Sequence, residues 1–140
     1  MSEATPIDVY VPKPEGLALE LHHAAIAAGR LQIQRCDGCG RFRHPPRYRC
    51  PACFSPDWSF VPVDDTGTVY SYVVSHRSFD RAWALHVPHV TVAVELVEGP
   101  RVIAALRGVD HEAVSIGMPV RLTVEPKGDD FAFVWADPAG

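Results

Sequence analysis

Hydrophobic and polar residues alternate along the second half of the chain, which predicts a series of β-strands. The alternating runs lie at residues 67–76, 89–97, 101–107, 120–124 and 131–135. Alternation of this kind buries one face of a strand and exposes the other. Residues 110–115, between the third and fourth runs, are long enough for about one helical turn. Five strands with a helical piece after the third predict an OB-fold barrel, and an SH3-like barrel or half-sandwich is the alternative.

The first 63 residues follow a different pattern. Residues 1–14 are rich in proline and carry no periodicity, which indicates an extended arm. Apolar residues then recur at helical spacing at Leu17, Leu21, Ala24, Ala25 and Ala28. Gly29 is a suitable end for this helix, which we expect over residues 15–29. The apolar stripe is narrow, so the helix needs a surface to pack on, either in its own chain or on a partner.

Two further short strands, at residues 31–35 and 58–63, flank four cysteines. The chain therefore divides into an arm and docking helix (1–30), a metal ribbon (31–63) and a barrel (64–140). We expect the ribbon and the barrel to have separate interiors. We also expect Leu17 and Leu21 to contact either the ribbon or a partner enzyme, because five strands can close a barrel without them.

The cysteines form two Cys-x2-Cys pairs, Cys36 with Cys39 and Cys50 with Cys53. Two such pairs facing each other supply four sulfurs in a tetrahedron, a ligand set that suits zinc or a single iron ion. Four protein ligands leave no open coordination position, so the predicted metal is structural. Two redox pairs or two disulfides are the alternatives, but no thioredoxin-like βαβ unit accompanies the cysteines.

Composition and charge limit the kinds of protein that this chain can be. No apolar run reaches the ~18–20 residues of a membrane span, and the N-terminus lacks a secretory signal, so we expect a cytoplasmic protein. The net charge is −4. Residues 30–53 hold six arginines against one aspartate, a net +5, while the rest of the chain carries −9. A nucleic-acid-binding protein usually presents a basic stripe over its main surface, so that function is the alternative rather than the first choice.

The loop between the first two barrel strands carries the candidate ligand-binding residues Arg77, Phe79, Arg81 and Trp83. Arginine suits phosphate groups, and the aromatic rings suit an apolar channel or a stacked base. The same rings would also simply cover an open end of the barrel. The chain lacks a Gly-x-Ser-x-Gly elbow, a Walker loop and a dinucleotide fingerprint. His76 and His89, with Asp80 nearby, are the best candidates for acid–base chemistry, although polar residues at strand ends are the plainer interpretation.

The order of these parts resembles a family of zinc-ribbon and OB-fold acyl-CoA-binding proteins, known as domain-of-unknown-function family 35. The matching stretches are residues 29–39, 44–47, 67–72, 88–96, 98–101 and 116–120, within a likeness that covers residues 15–136. Phe54 departs from the pattern, since a glycine is common there. The resemblance implies a rubredoxin-like zinc ribbon and an accessory subunit that is not an enzyme by itself.

The resemblance also implies the partners. Members of the family accompany thiolase-fold enzymes, such as lipid-transfer-type thiolases and aldolases, or MaoC-type enoyl-CoA hydratases, some of them in steroid side-chain degradation. It implies that the barrel holds part of an acyl-CoA and that the helix and ribbon contact the partner. We therefore expect Leu17 and Leu21 to be partner-binding residues.

Overall fold

A computed structural model describes residues 11–80 and 83–140 of the chain. Its N-terminal part has one α-helix and a three-stranded antiparallel sheet. Helix α1 spans Gly16–Ala28, and the strands are β1 (Gln32–Cys36), β2 (Phe42–Arg43) and β3 (Trp58–Pro62), in the order β2-β1-β3. The helix and strands β1 and β3 lie where the sequence predicts them, whereas the two-residue β2 was too short to leave an alternating pattern.

Helix α1 ends at Gly29, as predicted. Gly29 adopts a left-handed conformation, with φ of 69°, and its N–H donates to Ala25 O at 2.8 Å. Glycine adopts this conformation without the steric penalty of a side chain. The helix has 13 residues, and no described helix has both the length and the hydrophobicity needed to cross a bilayer.

The C-terminal part is a closed five-stranded barrel with the strand order β4-β5-β6-β8-β7, which confirms the OB-fold prediction. The strands are β4 (Thr66–Ser75), β5 (His89–Leu96), β6 (Arg101–Leu106), β7 (Pro119–Pro126) and β8 (Ala132–Pro138). Short 3₁₀ turns lie at Ala84–His86, in the β4–β5 loop, and at His111–Ala113, inside the predicted helical piece.

The barrel closes through one short parallel contact. Strands β6 and β8 pair only at Ala105 with Trp135 and at Leu106 with Ala136, while all the other neighbouring strands pair antiparallel. The preceding residues of β6 and β8 have no ladder between them. The wall of the barrel is therefore open along one seam, and another part of the chain has to cover it.

The core is shared between the ribbon and the barrel, so the expectation of separate interiors is wrong. Leu31, Ile33 and Val63 from the ribbon region belong to the same buried cluster as barrel residues such as Val92 and Leu122. Ile33 has no exposed surface. One face of β1 therefore seals the barrel, and the two lobes support each other.

Helix α1 packs on its own chain, against β1, β7 and β8. Leu17 is buried and Leu21 is half-buried. His22 stacks on Phe131, with ring centroids 4.7 Å apart, and its Nδ1 accepts the N–H of Ala132 at 3.0 Å. The helix thus packs on its own chain rather than projecting toward solvent, and its contacts include the barrel strands β7 and β8 as well as the ribbon strand β1.

We predict that Ile33→Ala destabilises the whole chain, including the barrel, by about 2–5 kcal/mol, because it leaves a cavity in the shared core. Urea unfolding followed by circular dichroism measures this change. The control is Val97→Ala in the exposed β5–β6 turn, which should change the unfolding free energy by about 0.5 kcal/mol or less. If Ile33→Ala loosened the ribbon and left barrel unfolding unchanged, the shared core would be contradicted.

Candidate metal centre and ligand cavity

The four cysteine sulfurs converge on one point. All four Sγ atoms lie within 4.8 Å of one another. The Sγ atoms of Cys36 and Cys53 are 3.6 Å apart, and so are those of Cys39 and Cys50. Sulfurs bound tetrahedrally at ~2.3 Å from zinc lie about 3.8 Å apart, so the arrangement fits a four-sulfur zinc site. With all four positions filled by protein, zinc here is a structural cofactor.

The two Cys-x2-Cys turns have the same backbone geometry. The N–H of Gly40 donates to Cys36 O at 2.9 Å, and the N–H of Phe54 donates to Cys50 O at 2.8 Å. Both donors adopt a left-handed conformation, with φ of 81° at Gly40 and 64° at Phe54. A bulky side chain seldom adopts this conformation. Phe54, which departs from the family pattern, therefore keeps the turn at the cost of backbone strain.

Backbone N–H groups favour the thiolate form of two of the four cysteines, Cys36 and Cys50. At Cys53 the N–H of Ser55 lowers the pKa, but the Cys36 thiol and burial outweigh it and raise that pKa to about 11. Cys39 N–H and Gly38 N–H donate to Cys36 Sγ at 3.4 and 3.3 Å. The Cys39 N–H contributes most to lowering the pKa of the Cys36 thiol to about 6. The pKa of Cys50 is also lowered, mainly by the N–H of Cys53. Thiolate is the form that binds zinc, so these hydrogen bonds favour the ligand state.

Several arginine residues lie near the four cysteines, and one of them is buried. Arg43 is 8% exposed, and its Nη2 donates to Arg47 O at 2.9 Å, while Nε and Nη1 have no hydrogen-bond partner among the described residues. A buried cation is unfavourable without a counter-charge. Four thiolates around zinc carry a net −2, so the metal centre supplies negative charge to this arginine-rich lobe.

An apolar cavity of about 500 Å³ lies along the open seam between β6 and β8. Helix α1 and β1 form one side, and the barrel and Trp83 form the other. The lining residues are Leu21, His22, Ala25, Leu31, Gln32, His44, Trp83, His89, Thr91, Val102, Ile103, Ala104, Ala105, Val124, Phe131, Ala132, Phe133 and Val134. Small-molecule sites typically occupy ~300–1,000 Å³ and are mainly apolar, so this cavity has the size and character of a ligand site.

Of the four ligand-binding candidates in the β4–β5 loop, only one is seen to line the cavity. Trp83 lines the cavity and packs on His89, with ring centroids 4.9 Å apart, and on Phe133 at 6.0 Å. Phe79 is 94% exposed and Arg77 is also exposed, and neither lines the cavity. Arg81 lies outside the described residues.

The two histidines considered for acid–base chemistry have different neighbours. His76 packs edge-on against His111, with ring centroids 5.5 Å apart, whereas His89 packs on Trp83. His89 thus belongs to the cavity wall and His76 does not. The structure gives this pair no shared position from which to act on one substrate.

Most of the cavity wall is not among the site residues that the sequence predicts. The alternation over residues 131–135 predicts one buried face, but the strand is buried on both faces: Ala132 and Ala136 are 3% and 0% exposed on one face, and Trp135 is 8% exposed on the other. Phe133 and Trp135 stack at 4.7 Å, and Phe131 continues the row at 6.5 Å from Phe133. The available signal was a strand that is apolar on both faces, which indicates that something covers its outer side.

Comparison with known proteins identifies relatives of both lobes. A family model described as the rubredoxin-like zinc ribbon domain of ChsH2 matches residues 23–59, and one described as its C-terminal OB-fold domain matches residues 60–125. A solved structure described as an Ltp2-ChsH2(DUF35) aldolase contains a chain that is 37% identical, with a TM-score of 0.82. The match covers 93% of this chain and 100% of that chain.

Two curated relatives are longer proteins. A probable enoyl-CoA hydratase alpha subunit of Thermomonospora curvata is 46% identical over 93 residues, which are 66% of this chain and 28% of the relative. The 3-oxo-4,17-pregnadiene-20-carboxyl-CoA hydratase alpha subunit of Mycobacterium tuberculosis is 39% identical over 113 residues, 79% of this chain and 34% of the relative. The chain spans about a third of the length of these two relatives.

We predict about one zinc ion per chain in freshly isolated protein and nearly none in Cys50→Ser, because a serine hydroxyl does not replace a thiolate ligand. Elemental analysis of both proteins measures this. The matched control is Ala52→Ser, which adds a hydroxyl to the same turn without removing a ligand. Zinc retention at full occupancy in Cys50→Ser would contradict the four-cysteine site.

We predict that the free energy of unfolding falls at acid pH because His44 is buried. Burial lowers the pKa of His44 below its ordinary value of 6.5. Below about pH 6.5 the unfolded chain therefore binds more protons than the folded chain, and the free energy of unfolding falls as the pH falls. Denaturant unfolding at several pH values between 5 and 7.5 measures this dependence. The free energy of unfolding should fall less steeply with decreasing pH in His44→Phe than in the wild type. Equal slopes would contradict this assignment.

Proposed function

The chain belongs to the ChsH2 (DUF35) family of zinc-ribbon and OB-fold proteins, and from this premise we propose that it is a non-catalytic, acyl-CoA-binding subunit of an enzyme complex. The observation that carries the proposal is the apolar cavity between α1, β1 and the barrel seam. The related proteins are hydratase alpha subunits and a chain of an aldolase structure. The partner is accordingly a thiolase-fold aldolase or thiolase, or a MaoC-type enoyl-CoA hydratase.

The cavity suits the acyl group of the ligand rather than the CoA moiety. None of the described residues that line it is Asp, Glu, Lys or Arg. Phosphate groups would lose their hydration in such a place without gaining a cation, which is unfavourable. An apolar acyl group has no such cost. We therefore place the acyl group in the cavity and the CoA moiety outside it.

We propose that residues of the β4–β5 loop contact both the acyl group and the CoA moiety. Trp83 forms part of the cavity wall, and Arg77 is exposed on the same loop. The guanidinium of Arg77 suits a phosphate group, because its planar fork donates paired hydrogen bonds. Phe79 is available on the same exposed stretch for a contact with the ligand or with the partner enzyme.

The catalytic groups come from the partner. The four cysteines fill the coordination positions of a structural metal. The polar groups in the described cavity wall are imidazoles, an indole N–H, an amide and a hydroxyl, and no described carboxylate lines the wall to orient an imidazole as a base. The chain would contribute by holding the acyl group within reach of the partner's active site. Positioning errors of about 1 Å can lower a rate ~100-fold.

Helix α1 takes part in partner binding indirectly. The side chains of Leu17 and Leu21 pack inside this chain, so we propose that they hold the helix against β1 and the barrel seam rather than contact the partner themselves. The surface offered to the partner is then the outer side of the helix and the neighbouring ribbon. The nucleic-acid alternative is not favoured, because the cavity is uncharged over its described wall and the relatives are parts of acyl-CoA enzymes.

We predict that Trp83→Ala lowers kcat/KM of the reconstituted complex by about 10- to 100-fold while the complex still assembles, because the acyl group loses part of its wall. Steady-state kinetics with size-exclusion chromatography measure the two properties separately. The matched control is Ile116→Ala, an exposed apolar residue that does not line the cavity. Substantial turnover by the isolated subunit, or unchanged kinetics in Trp83→Ala, would contradict the proposal.

A further inference from the structure

The second cysteine turn presents a bulky aromatic side chain to solvent. Phe54 is 71% exposed, and among the described residues it is the only one other than glycine with a positive φ, at 64°. A side chain in the left-handed region is sterically strained. An exposed aromatic ring also gains nothing from burial. Phe54 therefore costs stability in two ways that a glycine at the same place would avoid.

The fold uses the backbone of Phe54 but not its ring. The turn closes through the Phe54 N–H, which donates to Cys50 O at 2.8 Å, and Gly40 closes the first turn on Cys36 O in the same way. None of the ring–ring or cation–π contacts of the described residues includes Phe54. Strained residues that folding does not require are concentrated at functional sites, so the exposed ring points to a contact outside this chain.

Two cationic side chains lie beside the same turn. Arg49 Nη1 donates to Phe54 O at 3.1 Å. Arg41 lines a groove of about 290 Å³ together with Pro51 and Ala52 of the turn. Both arginines are exposed, and neither takes part in an ion pair within the described part of the chain. Aromatic residues and arginine are enriched at protein–protein interfaces, where a few of them carry most of the binding energy.

We propose that Phe54 anchors the partner enzyme subunit: its ring enters an apolar pocket of that subunit, and Arg41 and Arg49 face acidic groups on the rim of the pocket. This inference rests on the proposed function and names one contact within the ribbon surface assigned to the partner. Residues 30–53 carry a net +5, which is complementary to an acidic protein surface. A nucleic acid is less favoured, because the rest of the chain carries −9 and would repel phosphates beyond the ribbon.

Two substitutions separate the contribution of the ring from that of the backbone strain. Phe54→Ala removes the ring but keeps a Cβ in the left-handed conformation, whereas Phe54→Gly removes both. Each should weaken binding to the partner subunit of the reconstituted complex by about 10- to 100-fold, the loss typical of an anchoring residue. In the isolated chain, Phe54→Gly should unfold about 2–5 °C above Phe54→Ala, because glycine adopts this conformation without strain. Isothermal titration calorimetry measures the binding, and differential scanning calorimetry measures the unfolding.

Three controls accompany these variants. Phe54→Tyr keeps an aromatic ring and should bind the partner within about 3-fold of the wild type. Ile116→Ala removes an apolar side chain of similar exposure, 69%, from the barrel and should leave binding unchanged. Elemental analysis should find the same zinc content in all variants, which shows that a loss of binding is not a loss of the metal. In addition, raising the salt concentration should weaken the wild type more than Arg49→Gln, because salt screens the proposed charge pairs.

The outcomes separate this inference from the proposed function. If the wild type and Phe54→Ala bind the partner subunit equally tightly, the anchor is overturned and the proposed function stands. Equal unfolding temperatures of Phe54→Gly and Phe54→Ala would overturn the argument from strain, and the inference with it. If a single-stranded oligonucleotide binds the wild type and loses affinity in Phe54→Ala, the ring contacts nucleic acid and the inference is wrong. If no thiolase-fold or hydratase subunit binds the wild type, both the inference and the proposed function fail.

Discussion

The limited pairing between strands β6 and β8 is the constraint on which the rest of the structure depends. These strands run parallel and share a ladder over only two residue pairs. The barrel wall is therefore open along the seam between the earlier residues of β6 and those of β8. An open seam exposes core residues and unpaired backbone groups, both of which are unfavourable in water. Helix α1 and strand β1 lie on the side of the barrel where this seam is, and the space between them and the barrel is the apolar cavity.

The ribbon is consequently more than an attached module. Strand β1 ends in Cys36, and the same strand carries Ile33 into the barrel core and Gln32 into the cavity wall. The loop after β2 places His44 in that wall as well, and Gln34 fixes the loop by accepting from Arg47 N–H at 2.8 Å. A metal-free ribbon would hold few of these residues in place, since its own core is small. Zinc thus supports the wall of the apolar cavity through β1, without itself lining that cavity.

The parts of this structure that could be predicted from the sequence are those with a local signature. The metal ligands follow from two Cys-x2-Cys pairs, the end of α1 from Gly29, and the barrel strands from alternation. The cavity has no such signature, because its wall joins residues as distant as His22 and Ala132, whose contact spans 110 positions. The shared core was missed for a related reason: alternation shows that Ile33 is buried but not what covers it.

The most direct test of the central claim, that this chain holds the acyl group in its own seam cavity, is photoaffinity labelling in the reconstituted complex. An acyl-CoA with a diazirine on the end of the acyl group remote from the thioester is irradiated, and the labelled peptides are identified by mass spectrometry. We expect labels on this chain at Trp83, at residues 102–105 or at residues 131–134. Labels confined to the partner enzyme, or to surfaces of this chain away from the cavity, would contradict it.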